Sequence, residues 1–184
     1  MIRFLLAATV VLAIGTARPT SAEEPGTESI SLFGEKTLKI PAAWQRTRPQ
    51  SSIVEHEFLI KAEDTDDAPS ARITLMAAGG DVQANIDRWK TQFIGGDPAK
   101  QKTEQLTVGD WTVHVVDLSG KFKETVGGGP FSGGKVVERE NYAMLGGILV
   151  HPEGRKYFIK VTGPVDLVKA QRESMIRMFD ALKD

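Results

Sequence analysis

Apolar and polar positions alternate with a period of two along much of this chain and change to a helical period in two places. Between Ile53 and Lys61, residues Val54, His56, Phe58 and Ile60 fall on one face, with Glu55, Glu57 and Lys61 on the other, the pattern of a half-buried strand. Ala71–Ala78 repeats it, Ile73 and Leu75 alternating with Arg72 and Thr74. Upstream, Ser31–Phe33, a turn at Gly34-Glu-Lys36 and Thr37–Ile40 predict a small hairpin that stops at Pro41. Residues 102–122 predict a hairpin turning at Gly109-Asp110; another joins Tyr142–Val150 to Lys156–Thr162 through His151-Pro-Glu-Gly154. The glycine-rich segment 127–134 reads as a flexible bridge between those two hairpins. Val82, Ile86, Trp89 and Phe93 instead form the apolar stripe of a helix, opened by Asp81 as N-cap and ended by Gly95-Gly96-Asp97-Pro98. A last helix starts at Gly163-Pro164 and buries Val168, Met175, Met178, Phe179 and Leu182.

Strands that come in hairpins, with two helices between and after them, predict an α+β class: a mainly antiparallel sheet with helices packed on it. One α+β domain is expected over residues 31–184, after a signal peptide at 1–22 and a flexible lead-in at 23–30. The signal rests on Arg3, the uncharged apolar run Phe4–Ile14, and small residues ahead of Glu23; Ala22 is the preferred cleavage point and Ala17 the alternative. That run is short for a bilayer span, so the expected product is exported, periplasmic or extracellular, with no membrane anchor after cleavage. There is no cysteine, which excludes disulfides, thiolate nucleophiles and cysteine metal sites. Without Arg3 and Arg18 the remaining chain carries 21 Lys and Arg against 24 Asp and Glu, with signs interspersed. No polybasic footprint for nucleic acid emerges.

The order of elements resembles the PsbP-like family, an αβα sandwich. The likeness is carried by a short strand ending in Pro41-Ala-Ala-Trp44; by Ala71–Ala78 followed by the helix Asp81–Phe93; by the hairpin at Gly109-Asp110; and by Lys156-Tyr-Phe-Ile159 feeding a helix that ends Met178-Phe-Asp-Ala-Leu182. Asn85-Ile-Asp-Arg-Trp89, Gln92-Phe93 and Lys160-Val-Thr-Gly-Pro164 are similar to an uncharacterised exported bacterial branch. The resemblance implies a PsbP-like fold and a role in binding other proteins, and supplies no catalytic set.

Candidate chemistry thins out on inspection. Gly129-Pro-Phe-Ser-Gly-Gly-Lys135 has the spacing of a phosphate-binding loop, but Val136 stands where Ser or Thr is needed, and strand-like sequence follows instead of a helix. Ser132 lacks the glycine before it that a nucleophile elbow requires. Counted from Asp64, an EF-hand reading puts Ala68, Pro69 and Leu75 at positions needing Asp or Asn, Gly and Glu. His56 and His114 each lie on an apolar strand face, and would form a pocket, or a metal site, only if their strands were neighbours. Asn85, Arg88 and Gln92 form a polar line beside Trp89, and with Trp44, Tyr142 or Phe131 they would edge a binding surface. The expectation is therefore a non-enzymatic exported binding or assembly module, without a cofactor, whose partner is another protein in the periplasm or outside the cell and not nucleic acid. A small-molecule or metal binder is the alternative, and a hydrolase the distant one.

Overall fold

The structure is a computed structural model that describes residues 28–63, 65, 67–95, 99, 101–127 and 134–183. The expected signal peptide, most of the lead-in, and Phe131 lie outside the described residues. In chain order the elements are β1 (Ser29–Leu32), β2 (Lys36–Lys39), β3 (Gln45–Thr47), β4 (His56–Lys61), β5 (Ser70–Ala77), α1 (Val82–Lys90), β6 (Phe93–Ile94), β7 (Lys102–Val108), β8 (Trp111–Val126), β9 (Lys135–Val150), β10 (Lys156–Pro164), α2 (Val165–Lys169) and α3 (Arg172–Met178), closed by a 3-10 turn at Phe179–Leu182. The α+β class holds, with the sheet dominant.

β1 and β2 make a separate two-stranded hairpin; the rest form one antiparallel sheet in the order β3-β4-β5-β10-β9-β8-β6, with β7 also paired to β8. The sheet is covered on both faces. On one face the hairpin residues Leu32, Leu38 and Ile40 meet Phe58, Ile73, Leu145 and Ile159, with Val168, Met175 and Phe179 from the C-terminal helices over them. On the other, Ile86 and Trp89 of α1 pack on Val116, Met144, Ile148 and Phe158. Double coverage explains why β9 carries seven consecutive buried residues, Ala143–Leu149: neither side of the strand is wet at that depth.

Three sequence expectations change. α1 stops at Lys90, and Phe93, placed on the helical stripe, belongs to β6, where it pairs with Phe122 and packs on its ring at 5.1 Å. The chain leaves the helix because extended residues at 93–94 gain ladder bonds to β8 that a further turn would forfeit. The last helix is split: β10 runs on to Pro164, and α2 and α3 are separate short helices, although the five residues expected to be buried are buried. Strand structure also reaches back to Ser29, within the expected lead-in.

The glycine-rich segment links the two expected hairpins, β7–β8 and β9–β10, but their inner strands also pair with each other. β8 and β9 pair with each other from Thr112↔Val150 out to Val126↔Lys135, so they are the two strands of one long hairpin. Beyond Tyr142 this hairpin leaves the sheet. Among the described residues, β9 from 135 to 141 pairs only with β8, and β8 beyond Lys123, whose N–H still donates to the Gln92 carbonyl at 2.8 Å, only with β9. A register shift between Gly120 and Phe122, opposite Asn141 with φ of 54°, bends the ribbon at its root, as a bulge does.

Candidate functional site

The pairing register sets which residues share a face with α1. Glu57, Thr74, Lys160 and Gly146 stand opposite one another across β4, β5, β10 and β9; the next row is Leu59, Arg72, Thr162 and Met144. Gly146 and Met144 lie beneath α1 with Trp89, so the whole of both rows faces the α1 side. A helix is about 10 Å wide, roughly two strand spacings. It covers the β9 positions and Phe158 of β10; beside it Lys160, Thr162, Thr74, Arg72 and Leu59 form a half-buried strip, with Glu57 buried at its far side.

That strip is rich in cations. The Lys160 ammonium donates to Gln92 Oε1 at 2.9 Å and lies 5.9 Å from the Phe122 ring centre. Lys160 keeps some residue surface in solvent, yet its pKa falls to about 8, first through burial of the ammonium and then through the positive Arg72 and Arg88. Arg72 binds Glu57 with two bonds, Nε to Oε1 at 2.8 Å and Nη2 to Oε2 at 2.7 Å. Glu57 is fully buried, and its Oε2 also accepts the Gln50 N–H at 3.0 Å. These bonds, Arg72 first, hold its carboxyl below the usual value. The sequence pattern put Glu57 on the right face and wrongly in water. Arg88 donates to Asn85 Oδ1 at 2.6 Å, while the Asn85 amide donates to the carbonyls of Asp81 and Gly79. Asn85 thus holds Arg88, and Gln92 holds Lys160 of β10.

The other expected residues separate. Trp89 is buried against Phe158 at 5.5 Å and seated on Gly146, a core residue rather than a groove wall. Tyr142 stacks on Phe122 at 6.0 Å, which links it to the edge of the strip. Trp44 belongs to the opposite core, bonded through its indole N–H to Gln171 at 3.0 Å. His56 pairs across from Leu75 on that same opposite face, whereas His114 pairs with Ile148 on the α1 face, and three strands lie between β4 and β8. The two imidazoles do not converge on a pocket. Burial lowers the pKa of both, with Arg46 adding to the effect at His56. Among the described residues no group of three or more His, Asp or Glu gathers as metal ligands.

The β8–β9 arm is the second notable feature. Near its tip Val126 and Val136 are 45% and 56% exposed. They point to opposite faces, since Val126 pairs with Lys135 and Val136 with Thr125. Neither face of the ribbon is therefore turned to a core. A groove of about 950 Å³ opens at its root, lined in part by Gly120, Glu138, Glu140, Asn141 and Asp166. Lys135 starts a strand, so the helix that a phosphate-binding loop needs is absent there.

Sequence reasoning also missed a staple at the far end of the sheet. Phe33, held at φ of 52° in the β1–β2 turn, stacks on Trp111 and carries the Arg155 guanidinium 4.6 Å from its ring centre. Glu35 accepts from His151 Nε2 at 2.9 Å and from Arg155, which lowers its pKa. This staple docks the hairpin onto the sheet and accounts for a strained phenylalanine without invoking a ligand. The signal available was a turn glutamate, but its partner lies more than a hundred residues away. Comparison with known proteins finds no family model and no curated protein that matches this chain.

Proposed function

We propose that this protein is an exported, non-enzymatic binding or assembly module with a PsbP-like αβα arrangement, and that the β8–β9 arm is the element that engages its partner. The fold part is supported by three layers in the expected order: α1, the antiparallel sheet, and the C-terminal helices with the first hairpin.

The arm carries the functional part. A two-stranded ribbon is marginally stable in water by itself, and this one carries a half-exposed valine on each face near its tip. A partner with an apolar cleft would cover both. The charges along the ribbon argue that the partner is a different chain rather than a second copy. Two-fold antiparallel pairing of the free edge 135–141 sets like charges opposite each other in each of its three best-overlapping registers: Glu138 against itself, Lys135 against Arg139, or Glu138 against Glu140.

The test is to join Lys123 to Glu138 through Asn-Gly, a two-residue hairpin turn, and separately to place a photo-crosslinking residue at Val136. The shortened chain should keep its urea midpoint, and cross-linking in the native compartment should give one adduct identifiable by mass spectrometry. If Val136 yields no more adduct than exposed Ile53 does, or if the shortened chain unfolds, the assignment to the arm is wrong.

A further inference from the structure

We propose that the strip beside α1 binds a small dianion, a phosphate monoester or a dicarboxylate, between Lys160, Arg88 and Arg72. The proposal does not depend on the arm. It starts from charge: three cations share the strip with one carboxylate, Glu57, which is already taken by Arg72. Lys160 and Arg88 are each held by a neutral amide, Gln92 and Asn85. An amide oxygen orients a cation without cancelling its charge, so two positive charges remain uncompensated. Elsewhere on the molecule the strip's own alternative is seen: Lys121, Arg139 and Arg172 each meet a carboxylate at 2.6–2.9 Å.

Donor capacity agrees with the charge. An ammonium has three N–H donors, and Gln92 takes one. The Arg88 guanidinium spends one bond on Asn85, and Arg72 keeps the donors that do not face Glu57. Thr74 stands directly across from Lys160, and Thr162 shares its face one position along, adding two hydroxyls. The Phe122 ring flanks the ammonium, and an apolar neighbour without water strengthens an ionic contact beside it. A ligand of two negative charges matches what the strip lacks.

The groups facing Lys160 are Arg72 and Thr74 from β5, Glu57 from β4, Arg88 and Asn85 from α1, Gln92 after it, and Phe122 from β8. Of these it is Lys160 whose charge changes near neutrality, at about 8. A bound dianion favours its protonated form, so affinity should fall as pH rises through that value.

The experiment is an NMR titration of the intact protein carrying labelled lysine side chains, with inorganic phosphate in one arm and succinate in the other, at ionic strength fixed with sodium chloride. At pH 7.5 the Lys160 signal should shift saturably. A response to phosphate alone assigns a phosphate group, to succinate alone a dicarboxylate, and to both a doubly charged oxyanion of either kind. Arg88→Ala, on the exposed side of the helix, and a change to pH 9.5 should each weaken binding about tenfold or more. Thermal stabilisation by the responding anion should also vanish in Lys160→Met. No saturable shift with either anion up to about 10 mM, or an unchanged response in Arg88→Ala, overturns the proposal.

Discussion

The seat of α1 on the sheet is tested most sharply at Gly146. A Cβ there would stand 2.4 Å from Trp89 Cζ3 and 3.0 Å from Cε3, where ordinary contact begins near 3.5 Å. The indole must therefore withdraw by about 1 Å. The strand cannot retreat instead, because Gly146 is flanked by Lys160 on one side and Val116 on the other, each in a continuous ladder. Nor can the ring turn aside freely, since Trp89 is buried and meets Phe158 edge-on. Gly146→Ala should thus act as overpacking and cost about 1–3 kcal/mol. The backbone at Gly146 is in a region that alanine adopts readily, so no conformational penalty contributes. That separates the two explanations experimentally. In a Trp89→Leu background the same Gly146→Ala change should cost less than about 0.5 kcal/mol, with the difference appearing as coupling in a double-mutant cycle. Urea unfolding followed by far-UV circular dichroism gives all four values. Equal costs in the two backgrounds would refute the reasoning, as would a Gly146→Ala midpoint indistinguishable from that of the unmodified protein.

Two further changes probe the same sheet. Glu57→Gln should cost about 2 kcal/mol, below the range for a wholly buried pair because Arg72 is partly exposed. Glu57 has a depressed folded pKa, so its contribution is present above the ordinary carboxylate range and lost as pH falls through the folded value; the variant's denaturation curve should accordingly depend less on acid. Gly163→Ala would bring a Cβ to 2.6 Å from the Ala71 Cα, a backbone atom of the paired strand β5, and should lower thermal stability by about 3 kcal/mol or more, read as a drop in Tm.

Much of the fold was legible because the relevant signals are local. The turns at Gly34, Gly109 and Gly154 all have positive φ, and each closes an element boundary that the composition marks. The Asp81 N-cap accepts from the Ala84 N–H at 2.9 Å, so the start of α1 was readable, but its end was not. Phe93 satisfies the helical stripe and is buried, and only the pairing of 93–94 with residues 121–122 makes it a strand. The same limit hid the long β8–β9 hairpin, whose pairing continues past the point where the apolar pattern of each strand fades. What could not be read was the neighbour relation β5–β10, which joins residues some eighty positions apart and brings Arg72 beside Lys160.

The clue to the strip was nevertheless present in Tyr157-Phe-Ile-Lys-Val161, a charged residue inside an otherwise apolar strand. The position is half-buried beside the nine-residue α1, so a polar residue there is compatible with partial solvation. Solvation does not explain why it is a lysine. Threonine stands at the equivalent places, Thr74 and Thr162, and is neutral. Lowering the pKa from 10.5 to about 8 disfavours the charged form by about 3 kcal/mol, and that disfavour is felt at neutral pH, where the folded protein keeps the proton. It is also arranged rather than relieved: Gln92 reaches in from beyond α1 to hold the ammonium, and Asn85 holds Arg88 on the same side. A sheet position that stores unfavourable charge while two amides fix its geometry is costly as structure alone. The cost has an evident counterpart only when a negative ligand occupies the strip, and the stability of Lys160→Met in the absence of any such ligand, which should exceed that of the unmodified protein at pH 7, separates the two accounts.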